Sequence, residues 1–182
     1  MLRKLTFTHL ALTMLALGAA AASPLAIADQ GQVPFKASVV TQEVINPFAP
    51  DFTRCPLSGL VGNTTGQGTA SHMGAVTLVA SDCPLTNDYV NYFFSDGRLT
   101  LSAANGDKLS ASYSGTLLPV PGANPPVHAI NGTFSVTGGS GRFAGARGGG
   151  SLQGIEDLAT LKGRYEVKGM LWLAREKLSD KD

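Results

Sequence analysis

The chain has 182 residues, with 14 Lys and Arg against 13 Asp and Glu, so its net charge is close to zero. That balance excludes the strongly basic surface that a nucleic acid or an anionic membrane requires of a partner. With 22 Gly, 10 Pro and only 15 % charged residues, the composition favours short strands joined by turns over amphipathic helices.

Arg3 and Lys4 precede an apolar, Ala-rich run from Leu5 to Ala22, and Ala26-Ile27-Ala28 follows as a small-residue processing pattern. Residues 1–28 therefore read as a secretory signal peptide, residues 29–174 as one domain and residues 175–182 as a charged tail. The leader is too Ala-rich for a strongly apolar span of about 20 residues. No later run is long enough, so no membrane span is expected once it is removed. The implied location is secreted or periplasmic. In an oxidising compartment Cys55 and Cys83 are expected to form a disulfide, worth about 3 kcal/mol on the chain-entropy model. The alternative is a reactive thiol, which would need an electropositive niche.

In chain order, the first strand spans about Val33 to Val44, with Phe35, Ala37 and Val39 on one face. Prolines 47, 50 and 56 mark a loop. A second strand is expected to start near Leu57, and Gly66–Met73 and Ala75–Ala80 are further candidates. Ser81–Asp88 reads as a turn holding Cys83 and Pro84, and Ser95-Asp96-Gly97 as another, on either side of the aromatic stretch Tyr89–Phe94. Arg98–Ala104 and Lys108–Leu117 alternate around Asn105-Gly106, which predicts a type I′ hairpin because both of its central residues need positive φ. Pro119–Pro126 is a loop, Ala129–Thr137 a strand, Gly138–Gly141 a tight turn and Arg142–Ala146 a single helical turn. Gly148–Ile155 and Gly163–Leu173 close the series. About eight short strands with hairpin-length connections build a barrel or a sandwich.

The segment Ser135-Val136-Thr137-Gly138-Gly139-Ser140-Gly141-Arg142-Phe143-Ala144-Gly145-Ala146-Arg147-Gly148 resembles the signature of the allene oxide cyclase barrel superfamily, and dirigent proteins carry a similar glycine pattern. The turn Ala104-Asn105-Gly106-Asp107 also resembles one in exported bacterial barrels of this plan. The resemblance implies an all-β, eight-stranded antiparallel β-barrel of allene oxide cyclase or dirigent type. It further implies isomerase chemistry, or guidance of a coupling reaction, on a lipid- or phenol-derived substrate. In the cyclases an acid and an asparagine near the barrel start do the work. Here Glu43 and Asn46 stand there at a different spacing, and Arg142 occupies a position where some dirigent proteins carry an acid.

Read residue by residue, the chemistry is sparse. No G-x-S-x-G elbow, H-E-x-x-H or paired C-x-x-C occurs, and no metal or cofactor is expected. The acid–base candidates are Glu43, His72, Tyr165 and Glu166. His72 is placed in a strand, where it would be a structural anchor or face the interior. Tyr89, Tyr92 and Phe94 either line a pocket for an apolar body or fill core, and Arg142 and Arg147 either bind a carboxylate or are solvated. The leading expectation is a non-catalytic module holding a small apolar or amphipathic ligand. An enzyme on the lines above is the second reading. A filled, structural barrel working through its loops, Pro119–Pro126 first, is the third.

Overall fold

The structure, a computed structural model, is described for residues 31–173. The expected signal peptide and charged tail lie outside these residues. The described chain forms eight strands: β1 (Gln32–Ile45), β2 (Gly62–Ala70), β3 (Gly74–Thr86), β4 (Tyr92–Ala103), β5 (Lys108–Pro119), β6 (His128–Ser140), β7 (Arg147–Asp157) and β8 (Lys162–Trp172). Each strand pairs antiparallel with the next, and β8 pairs with β1, so the sheet is a closed eight-stranded antiparallel barrel. Closure leaves no exposed sheet edge.

Period-2 alternation sets the interior. Phe35, Ala37 and Val39 on β1, Val76, Leu78 and Ala80 on β3, and Leu109 and Ala111 on β5 all point inward and are buried. One end of the barrel is plugged. A 3-10 turn, Gly141–Phe143, follows β6 and carries Phe143, whose exposure is 0 %, against Leu109 and Leu171. The glycine-rich segment is thus a strand end plus a plug. β6 runs on to Ser140, with a register shift against β5 at Ser110/Ala111. The other end, where β1, β3, β5 and β7 finish, is open. Its wall is completed by the loop 46–61, which the Cys55–Cys83 disulfide ties to β3.

Several expectations are corrected in detail. The second strand begins at Gly62, and Leu57 lies in the tethered loop with 81 % exposure. β3 runs through Ser81 and Cys83 to Thr86, and β4 runs through Ser95–Gly97; each carries a bulge, with register shifts between Ser81 and Cys83 and between Phe94 and Gly97. Bulges and turns draw on the same small, positive-φ residues, but a bulge adds a residue and lets pairing resume. The chain instead reverses at residues 87–91, where the Asp88 carboxylate accepts from the backbone N–H groups of Val90 and Asn91 at 2.9 and 2.7 Å. The β4–β5 hairpin forms with Leu101 opposite Leu109, but not through a type I′ turn. Gly106 alone takes positive φ there (90°), and Ala103 and Asp107 close a three-residue loop by backbone hydrogen bonding. This is the type I turn with a glycine bulge.

Candidate functional site

The inward phase of three strands ends in a carboxylate at the open mouth. On β1 the face of Phe35, Ala37 and Val39 continues through Thr41 to Glu43. On β3 the face of Val76, Leu78 and Ala80 continues in phase to Asp82, at the register shift against β4. On β7 Leu152 leads to Glu156. Glu43, Asp82 and Glu156 line one pocket of about 450 Å3. Gly62 on β2, beside Glu43 and paired with Asp82, gives these acids room. A Cβ there would run into Glu43 Oε1 and lie 3.0 Å from Asp82 Oδ1.

Two tyrosines complete the floor. Tyr113 donates its hydroxyl to Asp82 Oδ2 and Tyr165 donates to Glu156 Oε2, both at 2.7 Å. Tyr113 and Tyr165 also roof a second, apolar cavity of about 50 Å3 in the lower barrel. They therefore separate an apolar lower half from a polar mouth. Above them Phe94 lies against Gly115 and Gly132, where any added Cβ would meet its ring. Tyr92 packs edge-on to His128 at 5.9 Å and donates to the Tyr89 carbonyl at 3.2 Å.

The electrostatics are unusual for a barrel interior. Burial, and then the charges of Asp82 and Glu156, push Glu43 up to about 8. Burial raises Asp82 to about 6, opposed by the Tyr113 hydrogen bond and by Arg54. Both tyrosines are held far above their ordinary range, first by burial and then by the neighbouring carboxylates, so they act as neutral donors. At neutral pH the Glu43 carboxyl thus keeps its proton. Glu156 is only 3 % exposed, and its Oε1 has no hydrogen-bond partner among the described residues. The nearby cation, Arg54, is turned away from the pocket. Its guanidinium contacts the Cys83 sulfur (3.3 Å) and the carbonyls of Asp96 and Ser81.

Of the residues singled out by sequence, Glu43, Tyr165, Tyr89, Tyr92 and Phe94 come together at this mouth, with Tyr89 at the lip and 84 % exposed. Four others do not join them. His72 sits in the β2–β3 turn with φ 65°, not in a strand, and its Nε2 contacts the Pro34 carbonyl at 3.0 Å at the plugged end. Glu166, one residue out of phase with Tyr165, points outward and pairs with Lys168 at 3.1 Å. Arg142 and Arg147 are exposed at the plugged end, because Phe143 is the residue the 3-10 turn buries. The sequence reading missed Asp82, Glu156 and Tyr113 as site residues. The available signal was phase: each falls on the inward face of its strand. Among the described residues no group of three His, Cys, Asp or Glu side chains converges to hold a metal ion.

No protein-family model matches the chain, and no curated protein matches it significantly. A solved structure similar to it is that of the pterocarpan synthase dirigent protein, at 14 % identity over 82 % of this chain and 90 % of that one, with a TM-score of 0.48. At that identity the chemistry of the mouth has to be read from this chain's own residues.

Proposed function

We propose that this chain is an exported small-molecule-binding barrel, which holds an amphipathic ligand with its apolar body along the rim and its polar head on the carboxyl floor. The observation that carries this reading is the 450 Å3 mouth pocket, within the range of small-molecule sites, which are mostly apolar with a few convergent polar groups. The lower cavity, at about 50 Å3, is about a ninth of the mouth pocket and lies well below the size of small-molecule sites, so the ligand belongs at the mouth. The Cys55–Cys83 disulfide and the leader-like N-terminus support export. Native mass spectrometry of the exported protein, followed by solvent extraction, tests the reading. A stoichiometric small molecule supports it. A bare polypeptide that also fails to bind any small amphipathic probe counts against it and favours a structural barrel.

A second reading is an acid–base enzyme, an isomerase or a coupling guide on a lipid- or phenol-derived substrate. One specific observation favours it: Glu43 at about 8 and Asp82 at about 6 leave one carboxyl protonated and its neighbour largely ionised at neutral pH. Carboxyls whose environments separate their protonation are the pattern of an acid–base pair. Turnover of the extracted molecule by the protein, lost in both Glu43→Gln and Asp82→Asn, would establish this reading over simple binding.

A further inference from the structure

We propose that the floor of the mouth pocket recognises the ammonium head of an organic amine, seated among Glu43, Asp82 and Glu156 with an N–H on Glu156 Oε1. This rests on the binding reading above and names the class of ligand.

The donors and acceptors of the floor point this way. The charged and titratable groups facing it are Glu43 from β1, Asp82 from β3, Tyr113 from β5, Glu156 from β7 and Tyr165 from β8, and no basic side chain lines the pocket. Arg54, in the tethered loop, spends its donors on the disulfide sulfur and on backbone carbonyls. Both tyrosine hydroxyl protons are already given to carboxylates. A ligand head that only accepts hydrogen bonds would therefore find just the Glu43 proton, amid three acids. A head that donates finds open acceptors, above all Glu156 Oε1, which is buried without a partner among the described residues. A buried, unsatisfied carboxylate oxygen is costly, and an ammonium supplies several donors together with the missing positive charge.

The remaining observations narrow the cation. The acids do not converge tightly enough for a metal ion. The rim of Tyr92, Phe94 and Leu117 offers an apolar wall, which an inorganic ion would not use and an organic body would. Quaternary ammonium lacks the N–H groups that Glu156 Oε1 requires, so a primary or secondary amine fits best. Entry of the ammonium favours the ionised form of Glu43, whose proton leaves to solvent. Affinity should then rise with pH, by up to tenfold per pH unit, until Glu43 is ionised without help, at about 8, and then level off.

The test is isothermal titration of the disulfide-intact protein with phenethylamine and with its uncharged counterpart 2-phenylethanol, at three pH values between about 6 and 8 and in two buffers of different ionisation enthalpy. The expected result is that phenethylamine binds at least about tenfold more tightly than the alcohol, gains affinity as pH rises and releases close to one proton near neutral pH. Glu43→Gln should abolish the proton release, and Glu156→Gln should weaken the amine without weakening the alcohol. Equal or tighter binding of the alcohol, or amine affinity independent of pH, overturns the inference while leaving a binding pocket intact. If neither probe binds, the inference fails. The broader reading fails with it only when the exported protein also carries no small molecule. The amine–alcohol comparison needs no variant, so it decides the question even if a substituted chain does not fold.

Discussion

Replacing Glu43 by Gln should make the barrel more stable at mildly alkaline pH. In an unfolded chain this carboxyl titrates at 4.5, and in the barrel it is pushed up to about 8 by burial and by Asp82 and Glu156. Between those values the folded state holds a proton that the unfolded chain has released. The stability linked to Glu43 is therefore complete below 4.5, falls as pH rises through the window, and is gone above about 8. At about 1.36 kcal/mol per pH unit the full loss is on the order of 5 kcal/mol. The carboxyl keeps some contact with water in the open mouth, so about 2–3 kcal/mol should be realised. Asp82, raised from 3.8 to about 6, adds a fall of the same sign that is largely over by pH 6.5, so the slope from there to pH 8 belongs to Glu43. Urea unfolding of the disulfide-intact protein, followed by the fluorescence of Trp172, reads this directly. With a slope of about 2 kcal/mol per molar urea, the wild-type midpoint should drop by about 0.5 M across that interval, and the Glu43→Gln midpoint should stay level. Parallel curves for the two proteins would refute the assignment of a buried, proton-holding Glu43.

Tyr165→Phe removes the only hydroxyl that donates to Glu156 Oε2 among the described residues. It should cost about 1–3 kcal/mol, read from urea midpoints, because it leaves a buried carboxylate oxygen without a donor. Cys55→Ser opens the tether between the 46–61 loop and β3 and should cost about 3 kcal/mol. Wild type treated with reductant should fall to the variant's midpoint, and a variant as stable as wild type would argue that the tether is idle. Phe143→Ala empties the plug beneath the barrel and should cost about 3–5 kcal/mol. The mouth lies at the other end, so probe binding at 25 °C should be unchanged, and a lost or weakened affinity would show that the two ends are coupled.

What the sequence disclosed about the fold came from alternation, and alternation is a strong constraint on a sheet with one buried face. Phe35, Ala37 and Val39 mark the interior of β1, and Leu101 and Leu109 meet across the β4–β5 hairpin, so strand number could be anticipated, while the choice of a barrel over a sandwich rested on the resemblance of the glycine-rich segment. The errors fell where two structures use one chemistry. Asp82-Cys83-Pro84 and Ser95-Asp96-Gly97 look like turns, and a bulge consumes the same residue types. Only pairing across the sheet, from residues distant in sequence, decides between them.

The site was hidden by a similar ambiguity with a different cause. An acidic residue in a strand is by default assigned to the solvent face, since burying a carboxylate is expensive. That rule misplaces Glu156 and Asp82, whose strands put them inward in phase with Leu152 and Ala80. The cost is met locally: Tyr113 and Tyr165 each give a hydroxyl to one acid, Gly62 makes space for another, and Glu43 stays protonated. None of those partners is near its acid in sequence. Tyr113 and Asp82 are 31 residues apart, so no local motif could announce them. Phase, however, could have. Three strands that each carry an acid on the apolar face, at the same end of a barrel, concentrate carboxylates where packing alone would place leucines. Stability gains nothing from that arrangement, so it points to what the open mouth is built to hold.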